Sequence, residues 1–242
     1  MTHIGARAFA AFDDRHINIY MGPSAQKHTL DDFNADNFDH KDLGFIRGAQ
    51  ISTGPAGLEG GPIGTVMSMN PPPGVPRWGA AFRDFFAQYY TRHLAMTGQT
   101  ENLPYADQVI DLDPDVRDAY GLPAPRMTYD WRRPNERARI EFVNAKLQEI
   151  GRAMGASVVW RTPVFPAPGA HHEGGTRMGA DPKTSVVNRY GQTWDIPNLF
   201  VIGSSTFPTS SGFNPTLTIQ ALAYMSAEAI VNRYRKNPGP LL

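Results

Sequence analysis

His171-His172-Glu173-Gly174-Gly175-Thr176-Arg177-Met178-Gly179, then Leu199-Phe200-Val201-Ile202-Gly203-Ser204-Ser205-Thr206-Phe207-Pro208-Thr209, then Ser211-Gly212-Phe213-Asn214-Pro215-Thr216: these stretches, near the end of a 242-residue chain, decide how the rest is read. The apolar run Leu199-Phe200-Val201-Ile202, closed by Gly-Ser-Ser, predicts a buried strand with a tight exit. Asn214-Pro215 ahead of an apolar-faced segment predicts a helix from Pro215 to about Tyr234, with proline in the first turn. An imidazole and a carboxamide, distant in sequence, thus fall on Gly-rich turns that flank a strand and open a helix.

Each residue has a bland reading beside the sharp one. An imidazole accepts a proton near neutral pH, which suits His172 to general-base work, but a loop histidine also serves as a cap or tie. Asn214 stands where a capping asparagine belongs, and a helix start also offers unpaired amides and positive dipole to an anion. The small residues Gly203-Ser204-Ser205 let a phosphate or ribityl chain approach backbone amides, or they simply end a core strand. His171, His172 and Glu173 are adjacent and point in different directions, without H-x-x-x-H spacing, so no metal is expected. No G-x-S-x-G elbow surrounds Ser204, Ser205, Ser210 or Ser211, which leaves a serine hydrolase with His172 as base as the weaker alternative.

Upstream, Ala6–Phe12 and Ile17–Tyr20 predict a hairpin. The Gly/Pro punctuation from Gly48 to Gly79 predicts a long connection, interrupted by a strand at Thr65–Met69. Trp78, Phe82, Phe85, Phe86, Tyr89, Tyr90 and Leu94 are spaced for one face of a helix over 77–96. Val109–Leu112 and Arg126–Asp130 read as strands. Pro134 starts a helix that aligns Ile140, Val143, Leu147, Ile150 and Met154 and stops at Gly155, and Val158–Trp160 reads as a short strand. Strands and helices without strict alternation indicate an α+β fold, and no G-x-G-x-x-G stands between a strand and a helix.

Composition excludes several classes. The 23 basic and 23 acidic residues cancel, so the chain has no electrostatic footprint for nucleic acid. With no cysteine it has no disulfide framework, thiolate metal site or cysteine nucleophile. Met1-Thr2-His3-Ile4-Gly5-Ala6-Arg7 lacks the order of a signal peptide, and no apolar run approaches the roughly 20 residues of a membrane span.

His172-x-x-Gly175-Thr176, Asn198 to Ser205, Phe207-Pro208-Thr209 and Asn214-Pro215-Thr216, in this order, closely resemble the C-terminal signature of the glucose-methanol-choline (GMC) flavin oxidoreductases. Gly212-Phe213-Asn214-Pro215-Thr216 and Asn188-Arg189-Tyr190-Gly191 resemble most the branch of gluconate, sorbitol and FAD-glucose dehydrogenases. The resemblance implies FAD as cofactor and oxidation of an alcohol on a sugar or polyol. His172 matches the position that takes the hydroxyl proton, and Asn214 the second active-site position, which is His in some members and Asn in others. Gly203, Ser204, Asn214, Pro215 and Thr216 match cofactor-contacting positions, although many members carry an acidic residue where this chain has Gly203.

The match runs along nearly the whole chain but covers only the second half of the family pattern. It implies a substrate-binding domain over 1–165 and the C-terminal part of the FAD-binding domain over 166–242. The implied partners are a complementary N-terminal ADP-binding chain and a small subunit or cytochrome that accepts electrons, in a bacterial cytoplasm or periplasm. A non-catalytic sugar-binding or regulatory remnant of the same fold is the alternative.

Overall fold

Ala6, Ala8, Ala10 and Phe12 alternate with Phe9 and Ala11, and this period of two gives β1 (Gly5–Ala11) two buried faces. The computed structural model describes residues 1–17, 27–54, 70–162 and 171–241. The described residues form two compact units, one drawn from 4–100 and 133–162, the other from 1–3, 101–132 and 171–241.

The first unit is built on an antiparallel sheet of β1, β2 (His28–Leu30), β3 (Ala49–Gly54), β4 (His93–Thr100) and β7 (Val158–Arg161), in the order β2-β3-β4-β1-β7. Helix α1 (Gly79–Tyr89) covers one face, where Phe85 and Tyr89 pack with Phe9, Ala11, Ala95 and Trp160. Helix α2 (Pro134–Ala153) covers the other, where Val143 and Leu147 meet Ala6, Ala8, Ala10, Phe12, Ile51 and Met96. Small side chains along β1 let α2 lie close. At Gly98 a Cβ would stand 2.3 Å from Val143 Cγ1, so only glycine fits there.

The sequence reading of this unit needs four corrections. The predicted helix over 77–96 ends at Tyr89: Trp78 is 80% exposed, and His93–Thr100 is a central strand. Leu94 falls on the helical period by coincidence, whereas Thr97, Gly98 and Thr100 suit extended backbone. Within the expected connection from Gly48 to Gly79 lies β3, whose short Ile51-Ser52-Thr53 run is buried between neighbours rather than signalled by its flanks. The expected hairpin fails because β4 and β7 occupy both edges of β1. Residues 18–20 and Thr65–Met69 lie outside the described residues.

The second unit contains a two-stranded ribbon, β5 (Ile110–Arg117) and β6 (Pro123–Met127), and helix α3 (Thr216–Ala229), which runs on into a wider turn over Ile230–Tyr234. The chain reverses at Asp118 to Leu122, and Asp113-Pro114-Asp115 lie inside β5 beside its bulge. Pro114 is tolerated there because a bulge already breaks the ladder. In place of an apolar core, the C-terminal stretch is organised by Gln192, 1% exposed. Its amide donates to the Pro197 and Gly239 carbonyls, and its oxygen accepts from Leu241 N and Asn188 Nδ2.

The run Leu199-Phe200-Val201-Ile202 is not a buried strand. Leu199 and Ile202 are 45% and 48% exposed, and the run is joined by an isolated bridge between Gln192 and Phe200, flanked by bonds from Val201 N to Gly191 O and from Thr193 N to Leu199 O. Apolar patterning reports what a segment is suited to bury; here Phe200 packs edge-on against Tyr234, with ring centroids 5.3 Å apart, while the two ends of the run stay exposed.

The expected boundary between 165 and 166 falls outside the described residues, and residues 101–132 group with the C-terminal segment.

Candidate active site

The loop carrying His172 is laid against the segment Ser204–Thr206 by a regular set of backbone bonds: Gly174 N to Ser204 O (3.2 Å), Thr176 N to Ser205 O (2.8 Å) and Met178 N to Thr206 O (2.7 Å). Side chains reinforce it, with Ser204 Oγ donating to the His172 carbonyl at 2.7 Å and Thr176 Oγ1 to Ser205 Oγ at 2.8 Å. The backbone of His172 is therefore fixed while its imidazole is exposed, and the ring has no hydrogen-bond partner among the described residues. An imidazole held by its main chain and otherwise uncommitted is free to exchange a proton with a ligand.

Gly203 precedes this segment with φ 138° and ψ −178°, a conformation open essentially to glycine alone. No atom lies within 4 Å of the place a Cβ would occupy, so the backbone is open on that side.

Asn214 is exposed, after a turn in which Phe213 N donates to Ser211 Oγ. The capping role expected for it is not observed. Helix α3 begins at Thr216 with Pro215 at its N-cap, and no side chain caps it. Pro215 supplies the fixed φ that starts the helix but no acceptor, so the first-turn amides and the positive dipole end carry no capping group.

His3 is the residue that sequence reasoning missed. It is 6% exposed. One ring nitrogen, Nε2, lies 2.6 Å from the Ser211 carbonyl, three positions before Asn214, and the other, Nδ1, lies 2.8 Å from Nδ1 of His171, the neighbour of His172. Burial pushes the His3 imidazole from 6.5 down to about 4, partly offset by the bond to Ser211. Beside it Glu173 is 5% exposed. Burial raises its carboxyl above the ordinary range, against the lowering effect of a hydrogen bond from Ser210. The sequence carries no local signal for any of this, since the contacts join residues about 170–210 positions apart.

Comparison with known proteins places this arrangement. Residues 104–223 match the family model for GMC oxidoreductase. Over 96% of its length the chain is 39% identical to the gluconate 2-dehydrogenase flavoprotein of Pantoea cypripedii, covering 38% of that protein. The chain belongs to the GMC oxidoreductase family. Other GMC relatives include a 2-methyl-1,2-propanediol dehydrogenase of Mycolicibacterium austroafricanum, 39% identical over 66% of this chain and 29% of that protein. The large subunit of a fructose dehydrogenase of Gluconobacter japonicus is 39% identical over 54% of this chain and 24% of that protein. The crystal structure of pyridoxine 4-oxidase from Mesorbium loti matches the GMC chain's fold over 96% of its length and 43% of the oxidase, with TM-score 0.50 at 14% identity. The α+β architecture is that of the family's C-terminal region. The chain spans well under half the length of these relatives. No described helix is long and apolar enough to cross a membrane.

Proposed function

We propose that this chain is the C-terminal half of an FAD-dependent oxidoreductase that oxidises an alcohol group on a sugar or polyol, working with an N-terminal ADP-binding half. The observation that carries the reading is the exposed, uncommitted imidazole of His172 on a backbone locked to Ser204. His172 takes the hydroxyl proton on a ring nitrogen. Asn214 donates from its carboxamide to the substrate oxygen and holds it against the base; because an amide does not titrate, all proton traffic falls on the histidine.

The residues fit a flavin. The uncapped start of α3 supplies amides and positive dipole suited to an anionic ring edge, and the open backbone at Gly203 admits close approach. Gly203, Ser204, Asn214, Pro215 and Thr216 are the residues proposed to hold it. Bound FAD supplies the acceptor for the hydride that leaves the substrate carbon. With His172 taking the hydroxyl proton and FAD supplying the two-electron acceptor, the alcohol would leave as a carbonyl. A small subunit or a cytochrome is the proposed onward electron acceptor. The proposed division of labour puts substrate binding in residues 1–165 and cofactor contact in 166–242.

The test is His172→Ala in the complex reconstituted from both halves. Turnover is expected to fall about 10²–10⁴-fold with the flavin spectrum retained; turnover within a few-fold of wild type overturns the assignment of the base.

A further inference from the structure

We propose that His3 and His171 are positioning residues: through one N–H···N bond, whose direction is set by the Ser211 carbonyl, they hold the loop of His172 and the loop of Asn214 in a single register. The functional side of this proposal rests on the reading above; the geometry stands on its own.

The register comes first. Thr2 and His172 form an antiparallel bridge, and Met1 and Glu173 exchange backbone hydrogen bonds, which sets His3 opposite His171. His3 then reaches across to Ser211. A carbonyl only accepts, so the 2.6 Å contact puts the proton on Nε2 of His3. In a neutral ring Nδ1 is then a bare lone pair, and the neutral form is the one its burial favours. His171 Nδ1, 2.8 Å away with the rings nearly perpendicular at 79°, must therefore carry the donated hydrogen. Both tautomers follow from a single carbonyl.

The paired backbone hydrogen bonds between Met1 and Glu173 hold the amino-terminal segment against the same loop, so the approach of His3 to His171 is fixed on both sides of His172. Residue 171 is thus fastened through His3 to Ser211, and residue 173 to Met1, while His172 between them is exposed. Successive side chains of an extended segment point to opposite sides, so His171 acts through the backbone rather than on the substrate. Loss of the His3 acceptor strands the His171 donor and frees the Asn214 turn from the His172 loop. Catalytic geometry is sensitive to such slack, since a displacement of about 1 Å costs about 10²-fold in rate.

Selective ¹⁵N labelling of histidine and asparagine in the whole chain tests this without any cofactor. The expected spectrum at pH 7 has a proton on His3 Nε2, a proton on His171 Nδ1 and a scalar coupling between the two Nδ1 atoms. His3→Phe is expected to abolish the coupling and to move the His172 ring and Asn214 amide resonances. His3→Gln, whose amide offers a donor to Ser211 and an acceptor to His171, is expected to return them toward wild type. In the reconstituted complex His3→Phe is expected to lower kcat about 10²-fold with much less change in KM, and His3→Gln to recover most of it. Absence of the coupling, or His172 and Asn214 resonances unmoved in a folded His3→Phe protein, overturns the proposal. If His172→Ala instead keeps its turnover, the functional reading fails while the coupling and the resonance shifts still decide the positioning role.

Discussion

The two units of this chain solve the problem of folding differently. The sheet unit buries apolar side chains on both faces of β1, with Phe9, Ile51, Met96 and Leu147 all fully buried. The unit that carries the motifs is held by backbone ladders and by the Gln192 hub, and it leaves Leu217, Tyr224, Ile110 and Leu112 between 64% and 80% exposed. Apolar side chains at such exposure, on a helix and a ribbon, are a surface shaped for burial that these described residues do not themselves provide. Under the proposed function that surface belongs to the complementary half, and the chain's 38% coverage of the gluconate dehydrogenase flavoprotein leaves ample sequence to supply it.

The sharpest way to break this contrast is a truncation in the core of the sheet unit. Leu147→Ala removes a fully buried side chain beneath α2 and is expected to cost about 2–5 kcal/mol in urea unfolding. A loss below about 1 kcal/mol would mean that α2 is not packed as described.

Acid comes next. His3 binds its proton only near pH 4 in the folded chain, whereas the unfolded chain binds it near 6.5. Stability is therefore full above about pH 6.5 and falls as the pH drops toward 4, by about 2–3 kcal/mol from this group. His93, buried in the sheet unit and also lowered by desolvation, adds to the loss in the same direction. His3→Gln should remove the part of the acid sensitivity that belongs to the motif unit and leave the rest, as measured by urea midpoints at pH 7 and 5. Identical slopes for the two proteins would contradict a buried neutral His3.

Gln192→Ala strands the groups that its side chain satisfies and is expected to cost about 1–3 kcal/mol. The smallest effect is the most diagnostic. Leu217→Ser, at 80% exposure on α3, should stay within about 0.5 kcal/mol of wild type in the chain alone, yet weaken assembly with the ADP-binding half in a pull-down titration.

How much of this the sequence disclosed depended on how local the cause was. Helix α2 was legible because Ile140, Val143 and Leu147 repeat at the spacing of one helical face and Gly155, at φ 81°, ends it. The motif turns were legible because glycine at 203 permits a backbone shape closed to other residues and proline at 215 fixes its own φ. Strand β4 was hidden because Leu94 extends the α1 period by one more step, although the backbone there pairs with β1 and β3. The apolar run 199–202 announced a buried strand, whereas its ends Leu199 and Ile202 stay exposed. Asn214 looked like a cap because Asn-Pro before a helix has that chemistry, and only coordinates show the helix starting beyond it, without a side-chain cap. The role of His3 lay outside local reasoning altogether.

The His3 contacts also carry a consequence for biosynthesis. Its two partners lie 168 and 208 residues downstream. At a translation rate of about 5–20 residues per second, residue 3 waits about 10–40 s after leaving the peptidyl-transferase centre before Ser211 exists to receive its proton. Over that interval the sheet unit's strands are already synthesised, and the loops of His171 and Ser211 are joined to residue 3 only afterwards.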